Sequence, residues 1–252
     1  MREQTDLLRM DGVGKVFAGG VTALADMNLS LSEGQFVSLL GPSGCGKSTA
    51  LRLIAGLMQP TTGKVIWQGG HDSGDLGVVF QEPTLMPWAT VEKNVWLPLR
   101  LKGESLDAAR PRIAQALDMV GLGGFPGAYP RELSGGMKMR VSIARALVTQ
   151  PRLILMDEPF AALDEITRNK MNDDLLALRD RLGCTVIFVT HSVFESVYLS
   201  DRIVVMAPRP GRVAEELSVT APRRDEEFRT SAEYAAQCRA VSAALHRATG
   251  DA

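Results

Sequence analysis

Short, continuous apolar runs recur along the chain, and a glycine or a polar residue ends or follows most of them. Continuous runs of this length are typical of strands that are buried on both faces of a sheet. Segments with helical spacing separate most of the runs. The pattern therefore predicts an α/β core built on a mainly parallel sheet. The runs are FVSLL (36–40), LGVVF (76–80), LILMD (153–157), TVIFVT (185–190) and IVVMA (203–207).

Two regions depart from this pattern. In the segment DMNLSLS, Met27, Leu29 and Leu31 alternate with polar residues, which predicts a half-buried, antiparallel strand. Residues 90–149 contain two helical patterns and no convincing strand. We therefore predict an antiparallel β subdomain, together with a helical subdomain at about 90–149 that is inserted into the α/β core. Within this helical subdomain we expect Pro111 to delay the start of the first helix.

The composition is that of an ordinary globular protein. The 252 residues are 45% hydrophobic and 23% charged, with a formal net charge of -1. Since nucleic-acid-binding proteins usually carry a basic bias, no nucleic-acid partner is expected. The three scattered cysteines fit neither a disulfide framework nor a zinc site, which favours a reducing cytosol.

The apolar runs are too short to cross a membrane. None approaches ~18 residues, and the first residues lack the apolar core of a signal peptide. We expect one large domain over residues 1–220 and a short helical tail at 221–252. Within the tail, SAEYAAQCRAVSAALHRATG has the spacing of one amphipathic helix.

A phosphate-binding loop follows the first buried run. GPSGCGKS matches the pattern G-x-x-x-x-G-K-S and leads into a helical segment. Its glycines let successive backbone N–H groups point at a phosphate. Lys47 would bring its charge to the β- and γ-phosphates, and Ser48 would ligate Mg²⁺. A glycine-rich turn with a chance lysine is the alternative. The predicted ATP contacts here are Gly41, Pro42, Ser43, Gly44, Cys45, Gly46, Lys47, Ser48 and Thr49.

Two acids end the apolar run LILM. Asp157 is placed to hold Mg²⁺ through water, as a second-strand aspartate does in nucleotide hydrolases. Glu158 could polarise the water that attacks the γ-phosphate. Alone, the pair could equally be solvated acids at a strand end, but the phosphate loop favours the catalytic interpretation.

Polar residues follow two further apolar runs. Gln81 comes after LGVVF, and His191 comes after TVIFVT. Because ligands bind beyond the carboxyl ends of parallel strands, both side chains could reach one site. Gln81 would bind metal or water, and His191 would hydrogen-bond a γ-phosphate oxygen. A structural histidine is the alternative for His191, and we adopt that interpretation for His71 and His246.

A second glycine-bearing segment, LSGGM, precedes another helical pattern. Ser134 is placed to cap this helix, and the helix N-terminus with Gly135 and Gly136 would form a second anion site.

Taken in order, these motifs resemble those of the nucleotide-binding subunit of an ATP-binding cassette (ABC) transporter. The set spans roughly residues 7–215 and consists of GPSGCGKST, VVFQ, LSGGM, LILMDEP, ALD and VTH. The resemblance implies an ATPase with a P-loop NTPase core, and with ATP and Mg²⁺ as cofactors. It also implies that two copies pair head to tail and enclose two ATP molecules.

The resemblance assigns further residues to that pair. Residues 134–136 would contact the ATP held by the second copy, and Asp164 would lie across the same interface. Phe17 would stack on adenine, with a core position as the alternative. Met137 departs from the family, where many relatives have glutamine, so we do not predict that it binds ATP.

The segment that joins Gln81 to the helical region suggests a docking surface. It is rich in proline but carries Leu85, Met86, Trp88 and Val91, whereas loops are normally polar. In the family this region receives a short cytoplasmic helix of the permease. The alternative is that these residues only pack the subdomains together.

Two segments resemble one branch of the family in particular. LMPWATVEKNV and YLSDRIVVMAPRPGRV are similar to importers of nitrate, sulfonates, taurine and thiamine-precursor pyrimidines. Such importers join two ATPase chains, peripheral at the cytoplasmic face of the inner membrane, to transmembrane permease subunits and a periplasmic solute-binding protein. The alternatives are an exporter or lipid-trafficking ATPase, a soluble non-transport ABC ATPase and a non-hydrolytic scaffold.

Overall fold

The computed structural model of the chain describes residues 6–70, 74–221 and 223–250. The chain falls into two compact units. The first unit comprises residues 1–71 and 183–252, and the second comprises residues 72–182. His71, for which we predict a structural role, lies outside the described residues.

Strands and helices alternate along much of the chain. None of the helices in the described ranges is long and apolar enough to cross a membrane. In chain order the elements are β1 (Asp6–Val16), β2 (Thr22–Ser32), β3 (Phe36–Leu40), α1 (Lys47–Ile54), β4 (Thr62–Trp67), β5 (Leu76–Val79), α2 (Val91–Leu101), α3 (Leu106–Met119), a 3₁₀ turn (Pro130–Glu132), α4 (Gly135–Leu147), β6 (Leu153–Asp157), α5 (Glu165–Leu182), β7 (Thr185–Thr190), α6 (Val193–Leu199), β8 (Arg202–Ala207), β9 (Arg212–Ser218), α7 (Glu226–Arg229) and α8 (Ala232–Thr249).

An antiparallel sheet in the first unit has the strand order β2-β1-β4. Met10 of the central strand lies opposite Leu29 of β2 and Val65 of β4. On β2, Met27, Leu29 and Leu31 are buried, whereas the polar residues between them are at least partly exposed. Alternate side chains point to opposite faces of a strand. The antiparallel strand predicted from this alternation is therefore confirmed.

A second sheet of the first unit contains the strands β7, β3, β8 and β9 in that order. The first three run parallel, and β9 runs antiparallel to β8. Every residue of β3 and β7 is buried, as expected for strands covered on both faces. Leu40 at the end of β3 pairs with Thr190 at the end of β7. The loops that follow these two strands therefore leave the sheet at the same edge.

In the second unit, β5 and β6 pair in parallel, with Val79 opposite Met156. Three packed helices, α2, α3 and α4, lie between these strands in the chain. No strand occurs among the described residues from 91 to 147, so the predicted run of helices is confirmed. The compact unit is larger than that run, since it also includes β5, β6 and α5.

The start of α3 differs from the prediction. Pro111 does not delay this helix, which begins at Leu106 and continues through the proline. The Ser105 hydroxyl accepts a hydrogen bond from the Ala108 N–H at 3.3 Å and fixes the N-terminus. One packed face stabilises the helix and offsets the hydrogen bond that proline cannot donate. This face consists of Ala109, Ile113, Ala116 and Leu117.

The tail forms the predicted amphipathic helix, α8, which packs against α6, β8 and β9 of the first unit. The Tyr234 hydroxyl donates a hydrogen bond to the Phe194 carbonyl oxygen on α6 at 2.9 Å. Arg247 pairs with Glu215 on β9 at 2.9 Å. His246 is exposed, without a place in the core. The buried face of α8 consists of Tyr234, Cys238, Val241 and Ala244.

Candidate functional site

The phosphate loop links β3 to α1, as its sequence predicts. Gly44 has a φ of 78° and Gly46 a φ of 93°, a region in which side-chain-bearing residues are strained. A Cβ on Gly46 would also lie 2.6 Å from Leu24 Cδ2 and 2.9 Å from the Ala23 carbonyl oxygen. The predicted need for glycine in this turn is therefore confirmed, for both conformation and space.

Lys47 lies inside the curve of this loop. Its side chain is only 5% exposed, and its ammonium donates hydrogen bonds to the carbonyl oxygens of Gly41 (2.7 Å) and Pro42 (2.9 Å). These acceptors offset the cost of burying the charge. No side chain caps α1, which begins at the left-handed Gly46. The first turn of α1 and the Lys47 charge thus present donors and positive charge at one place, which suits a phosphate.

The back of the loop is closely packed. Cys45 is buried, and burial raises the pKa of its thiol, so the thiol is neutral at physiological pH. Gly211, which precedes β9, donates its N–H to Ala23 O at 3.0 Å. A Cβ on Gly211 would lie 2.2 Å from the Cys45 carbonyl oxygen. The sequence around Gly211 indicates a turn, but nothing in it shows that this turn supports the phosphate loop.

His191 follows β7, and β7 pairs with β3, so the phosphate loop and His191 share one edge of the sheet. Its neighbours form a fixed turn. Thr190 Oγ1 donates to Glu195 Oε2 at 2.6 Å and accepts from the Ser192 N–H at 3.0 Å. The Ser192 hydroxyl accepts from the Glu195 N–H at 3.3 Å and caps α6. His191 itself is exposed, which leaves its ring accessible to a ligand.

Phe17 lies in the turn between β1 and β2, in the same unit as the phosphate loop. Its side chain is 41% exposed, so the alternative core position is excluded. The Lys15 ammonium lies 5.9 Å from the centre of the ring. An exposed aromatic ring beside a cation is suitable for stacking on a nucleobase.

The acids and the glutamine lie in the second unit. Val79 pairs with Met156, so Gln81 and Asp157 leave the paired strands at the same end. Gln81 is exposed, while Asp157 and Glu158 are partly exposed. Glu158 has a φ of 46°, which is uncommon for a residue with a side chain and turns the chain sharply after β6.

The candidate metal ligands are all oxygen donors: the Ser48 hydroxyl of the first unit, and the Gln81 amide and Asp157 carboxylate of the second. Such hard donors suit Mg²⁺, which is usually held by one or two carboxylates together with substrate phosphates. The described ranges contain no cluster of three His, Cys, Asp or Glu residues that could hold a metal ion by itself. Each of these side chains is therefore of the chemical type that Mg²⁺ prefers.

Ser134 caps α4 as predicted. Its hydroxyl accepts a hydrogen bond from the Met137 N–H at 3.3 Å, and Ser134 and Gly135 are both exposed. A Cβ on Gly136 would lie 3.3 Å from Thr167 Cγ2, so the start of α4 lies beside the start of α5.

Asp164 caps that second helix. Its two carboxylate oxygens accept hydrogen bonds from the Thr167 N–H (2.9 Å) and the Thr167 hydroxyl (2.7 Å). These bonds, with the backbone bond first, lower the pKa of Asp164 and keep it ionised. The Ser134–Gly136 segment and Asp164 are thus adjacent within the second unit, each at the exposed start of a helix.

The strand, loop and helix around Lys47 define a P-loop NTPase, and solved structures confirm this predicted α/β fold. A protein from Clostridium perfringens, described as part of an ABC transporter complex, matches with a TM-score of 0.77 and 28% identity, over 84% of this chain and 88% of that chain. A dimeric ATP-binding cassette in a post-hydrolysis state with ADP and phosphate matches with a TM-score of 0.74 and 36% identity, over 85% of this chain and 99% of that chain.

The sequence comparisons narrow this class to one family. The family profile described as ABC transporter matches residues 24–161, more than half of the chain. The chain belongs to the ABC transporter family, and it is an ATPase.

Two relatives show the branch of the family to which the chain is similar. The aliphatic sulfonates import ATP-binding protein of Pseudomonas savastanoi pv. phaseolicola is 50% identical over 213 residues, which cover 83% of this chain and 85% of the relative. The nitrate import ATP-binding protein of Synechocystis sp. is 46% identical over 227 residues, which cover 89% of this chain and 84% of the relative.

Proposed function

We propose that this chain is the ATP-hydrolysing subunit of an importer, which drives the uptake of a small solute through a separate membrane permease. The observation that carries the proposal is the near-half identity to relatives named as sulfonate and nitrate import subunits, over more than four fifths of the chain. Nothing comparable supports the exporter or the non-transport alternative. Candidate solutes are nitrate, sulfonates, taurine and thiamine-precursor pyrimidines.

Within one chain, the phosphate loop binds the β- and γ-phosphates of ATP. Lys47 supplies positive charge to the γ-phosphate, and the N–H groups of the loop and of the first turn of α1 bind the phosphate oxygens. Phe17 stacks on the adenine ring. Ser48, Gln81 and Asp157 would hold Mg²⁺, which neutralises charge on the phosphates when it is bound.

Glu158 and His191 act on the reacting end of the nucleotide. The Glu158 carboxylate orients the attacking water and accepts its proton. His191 donates a hydrogen bond to a γ-phosphate oxygen, which stabilises the charge that develops there. The fixed turn around His191 supports this role, because it limits where the ring can point.

The second anion site serves a second copy of the chain. Residues 134–136 cover the ATP bound by the phosphate loop of the partner copy, and Asp164 lies in the same interface. The exposure of Ser134 and Gly135 supports this assignment, because it leaves the start of α4 accessible to a partner copy. The similarity to a dimeric ATP-binding cassette also supports it.

The permease docks on the second unit. Trp88 is 78% exposed and Leu101 is 80% exposed, so both of these large apolar side chains are accessible to a partner. A groove of about 320 Å³ lies beside α2 and is lined in part by Phe80, Leu97, Pro98 and Leu101. An apolar groove of this kind suits a short amphipathic helix. The chain would thus be a peripheral protein at the cytoplasmic face of the inner membrane, with the periplasmic solute-binding protein as an indirect partner.

Uptake in cells tests the importer function. Deletion of the gene should abolish the uptake of one solute among nitrate, taurine, other sulfonates and thiamine-precursor pyrimidines. The wild-type chain should restore uptake, and Lys47→Ala should not, because that variant cannot hold ATP. Loss of export instead of uptake would support the exporter, and unchanged transport of every solute would overturn a transport function.

The docking surface is tested by membrane retention. Trp88→Ala should release the chain from the membrane fraction while its basal ATPase activity is retained, because Trp88 lies outside the phosphate motifs. The matched control is Leu57→Ala, which removes a 63% exposed side chain from the first unit. Equal retention of both variants would remove Trp88 from the docking surface.

A further inference from the structure

The loop between β5 and α2 is anchored by two side chains, the half-buried Arg145 and the buried Asn94. Residues 80–90 connect β5 to α2, and they include Gln81 and the exposed Trp88. Arg145, near the end of α4, holds the first half of this loop. Its guanidinium donates to Thr84 O at 2.9 Å, to Pro83 O at 2.9 Å and to Thr84 Oγ1 at 3.0 Å.

The surroundings of Arg145 make this anchor strong. Burial lowers the pKa of its guanidinium, yet arginine stays charged at neutral pH. A desolvated charge is costly unless hydrogen bonds satisfy it. Besides the loop oxygens, the Arg145 guanidinium lies 3.4 Å from the Ser142 hydroxyl on the same helix. If the loop moved away from α4, the charge would lose most of these partners, so loop and helix move together.

Asn94 holds the second half of the loop from α2. Its side chain is completely buried, and its Oδ1 accepts from the Met86 N–H at 2.7 Å. Its Nδ2 lies within hydrogen-bond distance of three carbonyl oxygens, Met86 O (3.2 Å), Ala89 O (3.1 Å) and Thr90 O (3.0 Å). Trp88 is therefore carried on a segment whose backbone is tied down on both sides of the ring.

The Arg145 anchor connects two surfaces that the proposed function uses. Helix α4 begins beside Ser134, and Arg145 follows eleven positions later, about 16 Å along the axis at the usual helical rise. A continuous helix transmits displacement along its length. A shift at the start of α4 therefore reaches Thr84 and the loop of Trp88 through Arg145.

We propose that Arg145 is a positioning residue that couples the permease-docking loop to the second anion site. Permease contact at Trp88 moves α4 through Arg145 and so changes how residues 134–136 meet the partner's ATP. By linkage, ATP bound between two copies must act back on the loop through the same residue. This coupling rests on the proposed two-chain ATP site and docking surface.

The chain offers a matched control on the same helix. Arg140 also lies on α4 and is part-buried, but its guanidinium donates to Val120 O at 2.7 Å and pairs with Asp174 on α5. Val120 follows α3 and Asp174 lies on α5, so Arg140 bonds groups outside the docking loop. Loss of either arginine removes a partly buried charge from α4, whereas only Arg145 ties α4 to Thr84.

The experiment follows Trp88 fluorescence with ATP as the probe. Trp67→Phe and Trp96→Phe leave Trp88 as the one tryptophan of the three in the sequence. Glu158→Gln is added so that ATP holds the dimer, which light scattering measures separately. In this background, ATP should change the quenching of Trp88 fluorescence by acrylamide. The same change should occur when Arg140→Ala is added. When Arg145→Ala is added instead, ATP should still produce the dimer but should no longer change the quenching of Trp88.

Each outcome decides between the explanations. Retention of the full ATP-dependent change in Arg145→Ala would overturn the coupling role, as would a dimer in the background that leaves Trp88 quenching unaltered. Failure of the background to dimerise would instead overturn the two-chain site on which the coupling depends. If thermal melting shows that Arg145→Ala is unfolded, Arg145→Lys decides, since lysine keeps the charge but not the planar fork that reaches Pro83 and Thr84 together.

Discussion

At the phosphate loop, one residue supplies the positive charge for the phosphates, and another leaves the space that close packing behind the loop requires. Lys47 supplies the charge, and the carbonyl oxygens of Gly41 and Pro42 hold its ammonium. Gly211 supplies space, because its missing side chain lets the turn before β9 lie against Cys45. The two contributions can be tested separately.

Gly211→Ala should weaken ATP binding without removing any group that contacts the nucleotide. The added Cβ would lie 2.2 Å from the Cys45 carbonyl oxygen, so the phosphate loop and the turn before β9 can no longer pack as closely. Overpacking of this kind costs about 1–3 kcal/mol. Isothermal titration should show lower ATP affinity, with Gly124→Ala as the control, since a Cβ there meets nothing within 4 Å. Wild-type affinity in Gly211→Ala would mean that the loop tolerates the shift.

Glu158→Gln should separate ATP binding from hydrolysis. The amide keeps the shape of the side chain but cannot accept a proton from water, so turnover should fall by about 10²–10⁴-fold. ATP affinity should survive, and ATP should then hold two chains together for long enough to be seen by light scattering. A turnover rate close to that of the wild type would assign the attacking water to another group.

At the scale of elements, α8 has the role of a cover over the first unit. Its buried face packs on α6, which begins two residues after His191, and on the strands β8 and β9. Tyr234 forms part of an aromatic group with Phe194, Tyr198 and Phe228. Its hydroxyl also bonds the Phe194 carbonyl oxygen in the first turn of α6. The tail therefore stabilises the helix that follows the histidine.

Tyr234→Phe should lower the free energy of unfolding by about 0.5–1.5 kcal/mol at neutral pH, the usual value of one hydrogen bond. Burial raises the pKa of the Tyr234 phenol above its ordinary value of 10.0. Since the unfolded chain ionises first, the wild type loses stability as pH rises above about 10. Phenylalanine does not ionise, so the gap between the two proteins should narrow there.

Chemical denaturation at pH 8 and at pH 10.5 measures this gap. Tyr129→Phe is the control, because Tyr129 is 36% exposed and lies in the second unit. A gap that is constant with pH would show that the Tyr234 phenol titrates normally in the folded protein.

At the scale of the whole molecule, the proposed active unit is a pair of chains. In this proposal, one chain supplies Lys47 to each ATP and its partner supplies Ser134. The assignment of Ser134 to the partner's nucleotide therefore predicts complementation between two inactive variants.

A mixture of Ser134→Arg and Lys47→Ala chains should regain ATPase activity. Each homodimer has two defective sites, whereas the heterodimer has one intact site, formed by a wild-type phosphate loop and a wild-type Ser134. If Ser134 served its own chain's ATP, mixing would restore nothing. A tagged heterodimer of wild-type and Lys47→Ala chains is the control, because it shows whether one intact site can hydrolyse ATP. Only if this heterodimer is active does a lack of ATPase activity in the mixture contradict the two-chain site.

Much of the fold was predictable from the sequence, because the signals are local. Strands buried on both faces leave unbroken apolar runs, as in β3 and β7. The turn at Gly44 and Gly46 is encoded within eight consecutive residues, since only glycine adopts its conformation easily. Ser134 could be identified as a cap because a cap acts on the N–H three positions later.

The sequence gives the identity of Arg145, Asn94, Gly211 and Tyr234 but does not predict which groups they contact. Arg145 bonds a loop 61 positions earlier, and Tyr234 bonds a carbonyl 40 positions earlier. Pro111 was misread for a related reason, since tertiary packing of α3 outweighs a local rule. The sequence by itself determined the elements, the phosphate chemistry and the family, because these depend on neighbours in the chain. Only the tertiary structure decided which side chains hold the loops in place, because those partners meet only when the chain is folded.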